Sequence, residues 1–139
     1  MDYKNLPDSY WQTHLKPEVY NICRQKGTEP AHSGTYDKLY AQGTYNCACC
    51  GGDYPLFSSE TKFDSGTGWP SFWAPVDLTH LTLQLDKSGI TGFFFPRIEV
   101  LCGRCGGHLG HVFDDGPKEH TGKRYCMNSL ALQFEPAKE

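Results

Sequence analysis

Apolar and polar positions alternate in short runs along most of this 139-residue chain, and only its first thirty residues carry helix signals. Leu81, Leu83 and Leu85 alternate with Thr82, Gln84 and Asp86, a period of two that predicts a strand. Lys87-Ser88-Gly89 then reads as a turn into the apolar run Phe93-Phe94-Phe95, which makes the segment an expected hairpin. Ile98 and Val100 lead into a cysteine motif, and Leu130, Leu132 and Phe134 alternate near the C-terminus. Upstream, Asp8 or Ser9 is placed to cap a short helix. A second helix would open at Pro17, run to about Gln25 and stop at Gly27.

Fifteen glycines, nine prolines and 14% aromatic residues favour strands and turns over long helices. The expected fold class is mainly β, in one domain over residues 1–139 whose residues 1–30 form a helical N-terminal segment. A net charge of −3 with scattered basic residues gives no attraction to nucleic acid or anionic membranes. No stretch approaches the roughly 18 apolar residues of a membrane span, and the N-terminus lacks an apolar signal core. The expectation is a cytoplasmic, monomeric protein with no nucleic-acid or membrane partner.

Seven cysteines sharpen this picture. Cys47-Ala48-Cys49-Cys50-Gly51-Gly52 and Cys102-Gly103-Arg104-Cys105-Gly106-Gly107 repeat one phrase, a C-x-x-C followed by Gly-Gly. In a reducing compartment such pairs point to metal or redox chemistry more than to disulfides. Two tight turns with four sulfurs suit tetrahedral Zn2+. Cys49 makes the first pairing ambiguous, but only Cys47 and Cys50 stand in the register to Gly-Gly that Cys102 and Cys105 show. Cys49 would then face away. A closed four-sulfur site leaves no open coordination position, so the zinc would be a structural clip between two distant turns.

Cys126 stands apart, in Arg124-Tyr125-Cys126-Met127-Asn128. On a strand Arg124, Cys126 and Asn128 share a face, and a nearby cation favours the thiolate needed for nucleophilic attack. His108 and His111 follow the second knuckle and are suited to moving protons near neutral pH. The bland alternatives are core hydrogen bonding or a second metal. Trp69 lies in Gly66-Thr67-Gly68-Trp69-Pro70-Ser71-Phe72-Trp73, where turn residues would present its ring to a ligand, although Trp69, Phe72 and Trp73 could equally pack a core. Two rival classes remain: a zinc-clamped binding module, which leaves Cys126 unexplained, and an enzyme with a catalytic metal on His108 and His111.

Taken together, the stretches Gly27-Thr28-Glu29 through Cys50, Lys62 to Phe72, Cys105 to Phe113 and Arg124 to Ser129 closely resemble the methionine-R-sulfoxide reductase B family. The resemblance implies two antiparallel sheets with short N-terminal helices and a structural zinc on Cys47, Cys50, Cys102 and Cys105. It implies Cys126 as nucleophile, Trp69 against the substrate methyl, Phe113 in the apolar wall, and His108, His111, Asp115, Arg124 and Asn128 on the polar side. The implied reaction reduces methionine R-sulfoxide, in oxidised proteins or peptides, through a sulfenic acid and a disulfide that thioredoxin or another thiol recycles. Many family members carry a resolving cysteine where this chain has Thr67. Cys23 is the expected substitute, with direct reduction of the sulfenic acid by an external thiol as the alternative.

Overall fold

The computed structural model describes residues 2–87, 94 and 96–137. Helices α1 (Asp8–His14) and α2 (Pro17–Gln25) open the chain. Pro17 stands at the first turn of α2, where its missing N–H costs nothing. The chain leaves α2 through Lys26 at φ 57°, and the Gly27 N–H donates to the Asn21 carbonyl at 2.9 Å, so the expected stop falls one residue early.

Nine strands follow among the described residues, all paired antiparallel. They are β1 (Gly43–Cys47), β2 (Pro55–Ser58), β3 (Lys62–Phe63), β4 (Ser71–Phe72), β5 (Leu81–Asp86), β6 (Arg97–Cys102), β7 (His108–Phe113), β8 (Arg124–Met127) and β9 (Leu132–Pro136). A three-stranded sheet runs β2-β1-β9, and a six-stranded sheet runs β3-β4-β8-β7-β6-β5. The mainly β expectation and the two implied antiparallel sheets are both met. Strand β5 pairs with β6 along its whole length. The turn expected at Ser88-Gly89 and the run of Phe93 and Phe95 lie outside the described residues.

The core joins the sheets through aromatic rings. Phe57 of β2 stacks on Phe72 of β4 at 4.5 Å between centroids, and Tyr45 of β1 meets the same Phe72 ring edge-on at 5.1 Å. Burial of these rings, with Leu56, Val100, Leu109 and Met127, is the main hydrophobic stabilisation of the fold. Helix α2 packs on β7 and on the turn after β8, and buries Ile22 and Cys23 there. No helix among the described residues is long and apolar enough to cross a membrane.

Candidate active site and thiolate clip

One rung of the large sheet organises the site. Ser71 of β4, Cys126 of β8, His111 of β7, Glu99 of β6 and Gln84 of β5 lie opposite one another in register. Residues directly opposed in antiparallel strands share a face, so all five project to the same side. His108 joins them through a bulge. Val100 faces Gly110 while Leu101 faces His108, which leaves Leu109 as the extra residue and turns both histidines to one face.

On that face is a cavity of about 200 Å³ lined by Cys126, His111, Trp69, Phe113, Arg124 and Asn128, with Thr28, Thr67, Arg97, Gly110 and Met127 completing it. Cys126 is the only cysteine that lines it. Burial pushes the Cys126 thiol above its ordinary value, although Arg124 and the Thr67 hydroxyl pull it down. The expected activation by Arg124 is therefore present but outweighed. Arg124 is oriented by Asp115, whose two oxygens receive Nε at 2.9 Å and Nη2 at 3.2 Å, and its guanidinium lies 4.4 Å over the Phe113 ring. That pairing holds the Asp115 carboxyl below its ordinary range. Asp115 is mostly exposed and acts on the cavity only through Arg124.

The two histidines differ. His111 lines the cavity, and its Nε2 lies 2.8 Å from Asp86, which also pairs with Arg97 at 3.5 Å. His108 does not line the cavity. It is buried, with Nδ1 2.7 Å from Glu99, and its ring meets that of His111 edge-on at 5.4 Å. Burial pulls His108 below its ordinary value despite Glu99. Glu99 itself is held low, because Gln84, His108 and Lys26 together outweigh its burial. The pair is thus a neutral imidazole donating Nδ1–H to a carboxylate. His108 packs its ring against that of the cavity-lining His111 on the same face of the sheet.

Asn128 lies just past the end of β8 and lines the cavity together with Arg124 and Cys126. Its backbone N–H and its Nδ2 donate to the carbonyl of the bulge residue Leu109, at 2.9 and 3.0 Å. The three aromatic residues of the Trp69 turn separate cleanly. Trp69 lines the cavity with its Nε1–H on the Glu29 carbonyl at 2.9 Å, Phe72 is core, and Trp73 stacks on His120 at 4.0 Å.

Asp86, Arg97, Glu99, Thr28 and Glu29 were not anticipated. Alternation of Arg97 and Glu99 with Ile98 and Val100 is a period-two signal that points to a polar strand face. Glu29 carries no local signal, because its partners Asn128 and Leu130 are about a hundred residues away.

The other thiols gather at the far end of β6. Cys47, Cys50, Cys102 and Cys105 are all buried, with their sulfurs within 4.8 Å of one another. Sulfur separations are 3.9 Å for Cys47 to Cys105 and 3.8 Å for Cys50 to Cys102. Ligands at about 2.3 Å from a tetrahedral centre stand about 3.8 Å apart, so the spacing fits a metal and is far too long for disulfides. The Arg104 Nε donates to the Cys50 sulfur at 3.2 Å and the Gly107 N–H to the Cys105 sulfur at 3.3 Å. These are bonds that stabilise metal-bound thiolates. Among the described residues this is the only such group, and it includes neither His108 nor His111.

Cys49 is outside the four but does not turn to solvent. Its sulfur packs beside Gly107 with Arg24 Nη1 3.9 Å away, and although Cys105 pulls its thiol down, Cys23 and burial push it up to about 12. Cys23 is therefore on the clip side of α2 and is not part of the cavity lining. The structure does not bring the expected resolving thiol to Cys126.

A half-buried cavity thiol beside a histidine and an ordered arginine, on a β-domain that also gathers four buried cysteine sulfurs, is an arrangement suited to thiol redox chemistry. The SelR domain model matches residues 15–136. A peptide methionine sulfoxide reductase MsrB of Hahella chejuensis is 48% identical over 137 residues, covering 99% of this chain and 94% of that protein. The MsrB of Leptospira interrogans is 51% identical over 136 residues, 97% of this chain and 98% of that protein. The chloroplastic B1 reductase of Arabidopsis thaliana is 53% identical over 133 residues, 96% of this chain, which spans 62% of that longer protein. The chain belongs to the SelR, or methionine-R-sulfoxide reductase B, family.

Proposed function

We propose that the protein reduces methionine R-sulfoxide residues in peptides and oxidised proteins, with Cys126 as the nucleophile. The observation that carries this reading is Cys126 as the sole cavity cysteine, on one rung with His111 and under the same rim as Trp69. The Cys126 sulfur attacks the sulfoxide sulfur while a proton passes to the sulfoxide oxygen. The attack forms an S–S bond; the hydroxyl then migrates from the methionine sulfur to the Cys126 sulfur as the S–S and the old S–O bonds break, so methionine leaves and Cys126 is left as sulfenic acid. His111, held by Asp86, supplies the proton. The Trp69 face and Phe113 receive the methyl group.

Both cations on the cavity wall are already engaged, Arg124 with Asp115 and Arg97 with Asp86, which also hydrogen-bonds His111. A free amino acid would bring an ammonium and a carboxylate with no partner here, which favours a residue within a chain. With Thr67 against Cys126 and Cys23 buried beside Cys49, an external thiol resolves the sulfenic acid. A dithiol of the thioredoxin class condenses with it to a mixed disulfide and water, then releases Cys126 by forming its own disulfide. Cys47, Cys50, Cys102 and Cys105 would hold one Zn2+, whose chemistry is structural. Seven cysteines, none of them in a disulfide, suit a reducing compartment such as the cytoplasm.

The test is reduction of peptides bearing separate R and S sulfoxide epimers, with thioredoxin as reductant, by wild type and Cys126→Ser. Turnover of the R epimer alone, abolished in the variant, is expected. Activity that survives in Cys126→Ser would sink the assignment.

A further inference from the structure

We propose that Glu29 is a positioning residue of the cavity, strapping the segment after α2 across its rim and thereby setting the Trp69 platform and the Asn128 clamp. The inference rests on the function proposed above and adds a residue to its machinery. Glu29 is 3% exposed, and three bonds leave it for three places. Its backbone N–H donates to Asn128 Oδ1 at 2.9 Å, and its carbonyl accepts the Trp69 indole N–H at 2.9 Å. Its carboxylate Oε1 accepts the Leu130 N–H at 3.0 Å.

The two backbone bonds end on side chains of the cavity wall, whereas the carboxylate anchors the strap to the backbone of the turn after β8. The other oxygen, Oε2, has no hydrogen-bond partner among the described residues. The slot around it is tight, since a Cβ at Gly34 would overlap both Oε2 and the Ser129 hydroxyl. Burying a carboxylate with one oxygen unmatched is costly, so the bond to Leu130 is a demanding anchor and not incidental packing. From Glu29 the chain of bonds continues through Asn128 to Leu109, the bulge residue that turns His108 and His111 to one face. A small shift of the strap would therefore move the substrate platform while leaving the Cys126 sulfur in place, and misplacement on this scale costs binding of the reacting geometry.

The test uses the full chain. Glu29→Gln keeps an oxygen for Leu130 and is expected to stay within about twofold of wild type in KM and kcat, whereas Glu29→Ala raises KM for an R-sulfoxide peptide about tenfold with kcat within about threefold. In a Trp69→Phe background, which has no N–H for the strap to hold, Glu29→Ala adds little further to KM. Solvent exchange of the Trp69 indole N–H, followed by NMR, is expected to quicken about tenfold or more in Glu29→Ala and to keep its protection in Glu29→Gln. Should Glu29→Ala not fold, Glu29→Asp, too short to reach Leu130, gives the same signature. An unchanged KM and exchange rate in a folded variant, or an equal KM effect in the Trp69→Phe background, overturns the proposal. Wild type that reduces neither epimer defeats the functional reading instead, and the exchange measurement, which needs no substrate, still decides the strap.

Discussion

Cys126 stands between two opposed influences. Burial disfavours a negative sulfur, while the Arg124 charge and the Thr67 hydroxyl favour it, and burial prevails. A thiol raised in this way is less ionised at any given pH than a free one. Iodoacetamide labelling of Cys126 in the substrate-free protein is therefore expected to be slow near pH 7 and to climb through and beyond about pH 8.5, the range of an ordinary thiol. Arg124→Gln removes the main opposing charge, so the thiol rises further and labelling at a fixed pH near 8 slows by about three- to tenfold. Mass-spectrometric quantification of labelled Cys126 across pH measures both. Rapid labelling that does not vary between about pH 6 and 8 would show a standing thiolate and reverse this account. The arginine two residues away was visible in the sequence, but its weight was not, because the opposing term comes from strands and turns that close around the thiol.

The bulge in β7 is the element on which the site turns. In a regular strand His108 and His111, three apart, would project to opposite faces, and Leu109 as an extra residue brings them to one. Asn128 pins that residue by two bonds, and Gly110 beside it leaves no room for a side chain, since a Cβ would overlap the Cys126 carbonyl. Gly110→Ala must then push β7 from β8 along the rung that carries Cys126 and His111. We expect a loss of about 3 kcal/mol in denaturant unfolding, together with lost turnover. An unchanged midpoint with full activity would refute this close-packing argument. The elements themselves were largely legible: the period-two run at Leu81 to Asp86, the Pro17 helix start and the doubled knuckle all appear where patterning put them. The faces were less so. Leu83 and Leu85 are exposed, while Gln84 and Asp86 point to the cavity face, on β5 at the end of the six-stranded sheet among the described residues. Bulges and long-range straps such as Glu29 leave no periodic trace, since each is decided by a partner far away in sequence.

At the scale of the molecule, the four-cysteine cluster lies where one sheet meets the other. Cys47 ends β1 of the small sheet, Cys102 ends β6 of the large one, and β7 starts three residues after Cys105. Whatever holds these four sulfurs together also sets the strand that carries His111. Arg24 of α2 adds a bond from Nη1 to the Cys105 carbonyl at 3.1 Å, which draws the helical segment to the same end. Binding of a metal by ligands that are dispersed in the unfolded chain counts as folding free energy, of order 10 kcal/mol in small zinc peptides. Purified protein is expected to contain one zinc per chain by elemental analysis. Cys105→Ser or prolonged chelation should remove it and lower the unfolding midpoint sharply, with activity lost as the fold is lost. Cys49→Ser should keep the metal, because Cys49 packs on the clip without belonging to it. Stoichiometric metal in Cys105→Ser, or undiminished stability after its removal, would mean that the sheets are joined by their aromatic core alone. Metal lost from Cys49→Ser would place the ligand set one residue away from where the doubled motif and the sulfur spacing put it.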